Sequence, residues 1–181
     1  MNWTDIQQWE AAPLQTYATE CENKQRKLQT VGDALGQRLD SLIGSSQTVK
    51  AAKAALRKQI FAIEKEVNFL ISSAEIASEG AQGINEVRAN ADDAKQMAHS
   101  WRLTIDSSGN VSMDAAEVKA QLKAGRHRLE IEAMVRRTQQ RVNSALERAR
   151  SLVESLSQKM SALDAGTYDN NVHYSATHKI R

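Results

Sequence analysis

Cys21 is the only cysteine in the chain. A nucleophilic thiol needs a nearby base or positive charge to hold it as thiolate, and none is suggested by its neighbours. It sits in an apolar stripe behind Tyr17 and before Leu28, so it reads as a small packed core residue. His99, His127, His173 and His178 lack the three- or four-residue separations of a helical two-histidine metal site; the closest pair, His173 and His178, is five apart. Di-iron bundles require Glu-x-x-His on two helices, and this sequence has none. Phosphate-cradling loops, dinucleotide fingerprints and Gly-x-Ser-x-Gly elbows are also missing from the sequence. Glu64, Glu66, Asp92 and Asp93 are acids on a long helical pattern and read as solvation. The sequence therefore predicts no catalytic residue, no cofactor and no metal, and a protein that is not an enzyme.

Two further groups merit weighing. Arg126, Arg128, Arg136, Arg137, Arg141, Arg148 and Arg150 form a basic run that could touch phosphates. They do not share one helix face, and Glu130, Glu132 and Glu147 lie among them, so the run reads as a solvated face rather than a nucleic-acid site. Trp3, Trp9 and Trp101 are predicted to meet as an aromatic cluster, either capping the core or offering a partner surface.

The elements that would position these residues follow from composition and period. The chain has 181 residues, with 24 Lys and Arg against 22 Asp and Glu, too balanced to argue for nucleic acid or an anionic membrane. One proline and eight glycines are too few for the turns of a sandwich or barrel. No stretch approaches the roughly 18 apolar residues that span a bilayer, and the start of the chain lacks the basic and apolar regions of a secretory signal. Leu14, Cys21, Leu28, Leu35 and Leu42 recur every seven residues. Ile60, Ile63, Val67, Leu70, Ala74, Ala77, Ala81 and Ile84 follow steps of three and four, which keeps them on one helical stripe. A third stripe contains Leu122, Leu129, Val135, Val142, Ala149, Leu156 and Leu163. The fold class is all-α: an elongated antiparallel bundle of one short N-terminal helix and three long ones.

Capping chemistry sets the boundaries. Thr4 or Asp5 opens a short helix to about Glu10, and Pro13 suits the first turn of the next. Gly44 stops that helix, Ser45 or Ser46 restarts the chain, and the third helix runs to about Trp101. Asp106-Ser-Ser-Gly109-Asn110 is turn chemistry, with Ile105 and Val111 placed to pair across it. Ser112 or Asp114 opens a last helix, expected to continue through Gly125 to about Asp164 and close at Gly166. Residues 1–166 form the bundle, and 167–181, polar and aperiodic, are expected to be a tail or linker.

At the first hairpin, Leu39-Asp40-Ser41-Leu42-Ile43-Gly44 followed by Val49-Lys50-Ala51-Ala52-Lys53-Ala54-Ala55-Leu56 resembles the turn of Trp-x-Gly (WXG, Esx-like) type VII secretion substrates. There a Trp-x-Gly turn joins two antiparallel helices; here Leu42, Ile43 and Gly44 stand in its place, glycine retained and tryptophan lost. Ala98 through Trp101 with Ile105, Asp106, Gly109 and Val111 resembles a segment of longer actinobacterial members. The resemblance covers residues 1–115. It implies a non-enzymatic interaction protein, or the export domain of a secreted toxin, that docks to a helical protein partner or homodimerises and engages secretion machinery. Leu14, Leu28, Leu35, Ile60, Ile63, Val67 and Leu70 would form the internal or shared seam. It also implies secretion without a classical signal peptide. The family's Tyr-x-x-x-Asp/Glu signal is absent, which points to a partner that carries it or to a larger protein. A cytoplasmic coiled-coil scaffold or adaptor is the competing expectation.

Overall fold

In the computed structural model, residues 1–168 and 173–176 are described. Five helices and one small hairpin follow in order: α1 (Trp3–Gln7), α2 (Ala12–Ser41), α3 (Gln47–Ser100), β1 (Thr104–Ile105), β2 (Val111–Ser112), α4 (Ala115–Lys123) and α5 (Arg128–Asp164). The class is all-α, with three long helices. The chain divides into two compact units: Met1–Ala12 with Gly80–Ser157, and Pro13–Glu79 with Gln158–Arg181.

The first unit packs around small residues. Ala91, Ala94 and Ala98 of α3 and Ala145 and Ala149 of α5 are buried together with Val87 and Val142. Alanine contributes little apolar area of its own, but it lets helix backbones come close enough for their remaining atoms to touch. Gly83 extends this approach, since a Cβ there would lie 2.5 Å from Leu152 Cδ1. α3 and α5 run antiparallel in this unit, as pairing 83 with 152 and clustering 87–98 with 142–149 requires. Trp3 and Ile6 of α1 join the same core.

The second unit closes around Cys21, Leu28, Leu70 and Ala74. Gly32 faces Ile63 while Cys21 packs against Leu70 and Ala74, so α2 and α3 run antiparallel here. Lys159 pairs with Glu79, and this carboxylate raises the lysine above its ordinary range. The connection between α2 and α3 holds Gly44 at φ 116, a backbone region that favours glycine. Ser46 starts α3, its carbonyl accepting from Lys50 N at 3.0 Å and its hydroxyl from Val49 N at 3.3 Å.

Three helices end by one device. Leu103 N donates to Ala98 O, Arg126 N to Gln121 O and Thr167 N to Ala162 O, each reaching back five residues. The residue before each donor has positive φ: Arg102 at 54°, Gly125 at 88° and Gly166 at 68°. This is the Schellman arrangement, which satisfies carbonyls that a helix end leaves bare. It corrects the expectation of one continuous last helix. Gly125 ends α4, and α5 restarts in a new phase. The third stripe therefore does not run through: Leu122 and Leu129 are 42% and 79% exposed. The buried positions of α5 instead include Ile131, Thr138, Val142, Ala145 and Ala149.

Gly125→Ala separates the two readings. Inside a helix the substitution would stabilise by about 1 kcal/mol; at a positive-φ cap it is expected to destabilise by about 1 kcal/mol. Urea unfolding followed by circular dichroism reads the sign.

Candidate interaction surfaces

The predicted seam residues separate by depth. Ile60, Val67 and Leu70 are 2%, 0% and 5% exposed, so they serve the interior of the second unit. Leu14, Leu28, Leu35 and Ile63 are half-buried. Cys21 is a buried free thiol within that core. The turn residues lie outward: Ile43 is 90% exposed, Gly44 is exposed and Leu42 half-buried.

The three tryptophans all join the core of the first unit. Trp3 belongs to the core, and Trp9 and Trp101 pack against it half-buried. Arg88 Nη1 donates to Trp9 O at 3.3 Å. The guanidinium of Arg126 lies 3.9 Å from the centre of the Trp101 ring, a cation–π contact. Its buried Nη1 has no hydrogen-bond partner among the described residues, so the ring face is what it meets. Other arginines of the run, Arg128, Arg136, Arg137, Arg141, Arg148 and Arg150, are exposed, and Arg128 pairs with Glu132 at 3.1 Å.

The β1–β2 hairpin pairs Ile105 with Val111. Asp106 organises its turn, with Oδ1 accepting from Ser108 N at 2.9 Å and Asn110 N at 2.8 Å, and Oδ2 from Asn110 Nδ2. The Asn110 bonds hold this carboxyl below its usual range. Gln139 fastens the hairpin to α5: its Oε1 accepts from Val111 N at 2.8 Å and its Nε2 donates to Gly109 O at 2.8 Å. Gly109, at φ 93, sits under Val142 and Leu146, where a Cβ would stand only 3.0 and 3.1 Å from their side chains. These bonds are made by polar side chains that no apolar period could reveal.

Beside the hairpin, α4 and α5 enclose an open groove of about 600 Å³. Met113, Val118, Ile131 and Val135 give it an apolar floor, and Arg128, Glu132, Arg136, Gln140 and Asn143 give it a polar border of both charges. Leu129 stands exposed on the first turn of α5.

A second surface lies on the α2–α3 pair, where the expected tail takes a structural part. Tyr174 N donates to Asn68 Oδ1 at 2.7 Å, and Asn68 Nδ2 returns a bond to Tyr174 O at 3.3 Å. Glu64 Oε1 accepts from Ala176 N at 2.7 Å and from Ser175 Oγ at 3.2 Å. Tyr174 Oη lies 3.2 Å from Gln29 O and 3.0 Å from Asp33 Oδ1. Burial, reinforced by the Asp33 carboxylate, pushes this phenol well above its ordinary range. Of the stretch read as a tail, Tyr174, Ser175 and Ala176 are thus held by side chains of α2 and α3. Residues 169–172 and 177–181 lie outside the described residues, His178 among them.

His99, His127 and His173 are exposed. Among the described residues no group of three or more His, Cys, Asp or Glu side chains could hold a metal ion, and no helix is long and apolar enough to cross a membrane. No family model, curated protein or solved structure matches this chain.

Two substitutions test the hairpin clamp. Gln139→Ala leaves Val111 N–H without its acceptor and is expected to cost about 1–3 kcal/mol in urea unfolding. Asp106→Ala is expected to lower the melting temperature at neutral pH. The lowered carboxyl stabilises the fold above its unfolded value and loses that effect as pH falls through the folded one. The difference from wild type should therefore narrow below about pH 4.

Proposed function

We propose that this chain is a non-enzymatic helical interaction protein that docks onto a helical partner. Type VII secretion substrates and the export domains of secreted toxins, which its first hairpin resembles, pair with small helical companions in this way. The observation that carries the reading is the α4–α5 groove. Its floor presents Ile131 and Val135 one turn apart, joined by Met113 and Val118, while charges of both signs border it. That is the form in which an amphipathic helix is received, its apolar face down and its polar edges meeting the rim. Leu129, 79% exposed, follows Arg128 of that border in sequence and offers an apolar side chain that the chain itself does not bury.

The antiparallel α2–α3 pair and the glycine at its turn support the comparison with the Trp-x-Gly family. On this reading the chain leaves the cell with its partner, which supplies the Tyr-x-x-x-Asp/Glu signal. A second copy is the alternative occupant of the groove, giving a homodimer.

Co-purification of the tagged full chain with the products of neighbouring genes tests the proposal, with sedimentation distinguishing a hetero- from a homodimer. Leu129→Asp, on an exposed position, should leave the melting temperature unchanged and weaken partner binding about tenfold, roughly 1.4 kcal/mol. Binding indifferent to this substitution, or a chain that remains monomeric and inside the cell, would overturn it.

A further inference from the structure

Gly32 and Gly36 lie one turn apart inside α2, where each glycine weakens a helix by about 1 kcal/mol relative to alanine. Both are buried, and both face the docked segment. A Cβ on Gly32 would stand 2.5 Å from Tyr174 Oη, and one on Gly36 would stand 3.2 Å from Ala176 O. The cleared space is matched by polar groups at peptide spacing. Asn68 takes both the N–H and the C=O of Tyr174; one helical turn away, Glu64 takes the N–H of Ala176 and the hydroxyl of Ser175. The bound phenol is anchored at the helix edge by Gln29 O and Asp33.

These features address different parts of a short peptide. Asn68 and Glu64 recognise main chain, the Gly32 position admits an aromatic ring with a hydroxyl, and Gly36 demands that the backbone near Ala176 come close. We infer that the α2–α3 groove of Gly32, Gly36, Glu64 and Asn68 is a peptide-binding site for a tyrosine-small-small segment, and that Tyr174–Ala176 fill it in cis as a displaceable latch. The inference stands independently of the helical-partner reading, since it uses other residues and another ligand class. Polar contacts to Asn68, Glu64, Gln29 and Asp33 help hold the segment, and the connection to α5 makes it compete at an effective concentration of the order of millimolar. A free copy of the peptide therefore meets a site already taken unless the tethered tyrosine is removed.

The experiment uses the full chain and a fluorescein-labelled peptide spanning residues 171–178, read by fluorescence anisotropy. A Tyr174→Ala chain should bind the peptide at least about tenfold more tightly than wild type, because the cis competitor has lost its anchor. Adding Gly32→Ala should abolish the gain, since the new methyl occupies the place of the incoming hydroxyl. Adding Asn68→Ala instead should also abolish it without altering either glycine. A peptide whose tyrosine is replaced by alanine should fail to bind. Far-UV circular dichroism verifies that each chain keeps its helices. Equal binding, or none, by the wild-type and Tyr174→Ala chains would overturn the inference, as would binding unimpaired by both Gly32→Ala and Asn68→Ala.

Discussion

Close approach of helices through small side chains is the constraint on which the rest of this structure depends. In the first unit, α3 and α5 meet through Ala91, Ala94, Ala98, Ala145 and Ala149, with Gly83 admitting Leu152. Such a seam brings backbones together but removes little apolar area from water for each residue. The larger side chains are concentrated where α1 and the hairpin join the same core: Trp3, Ile6, Leu103, Val111 and Leu146. The short α1 and the two-residue strands are thus part of what makes the alanine seam stable. Neither is large enough to persist alone.

Narrow seams also determine what remains outside. A helix that uses only one stripe for its own unit keeps the rest of its circumference for solvent or a partner. Polar residues cover most of that circumference, yet Ile43, Phe61 and Leu129 remain at least 70% exposed. Scattered apolar residues on a surface are ordinary. Leu129 differs in following Arg128, which borders a groove with an apolar floor and charges of both signs, and that combination links packing to the proposed docking role. The second unit carries another kind of surface, where the absence of side chains at Gly32 and Gly36 lets Tyr174 and Ala176 lie close against a helix.

Most of the architecture was legible because it is periodic. Steps of three and four identified Ile60, Val67, Leu70, Ala74, Ala77 and Ala81, all of which are buried. Turn chemistry located Gly44, Gly109 and Gly166, all with positive φ, and the Ile105–Val111 pairing. The break at Gly125 escaped because the seven-residue apolar spacing continues across it, from Leu122 to Leu129. A glycine near a possible helix end was the available signal, and the repeat outweighed it. The docking of Tyr174–Ala176 escaped for another reason. Its contacts are hydrogen bonds between an aperiodic segment and polar residues far away in sequence, and such bonds leave no period. Two glycines four apart inside α2 were the trace it left. That the three tryptophans would reach the core was foreseeable, since Trp3 is part of it and Trp9 and Trp101 pack against it, but the Arg126–Trp101 contact depends on the turn at Gly125.

Hydrogen exchange of the intact chain, resolved by peptide mass spectrometry, tests the central claim most directly. If small-residue seams hold the fold, the slowest amides of the first unit will lie in residues 87–98 and 142–149, with those around Gly125 exchanging far sooner. Rapid exchange through 87–98 and 142–149, or strongest protection at the α4–α5 junction, would contradict it.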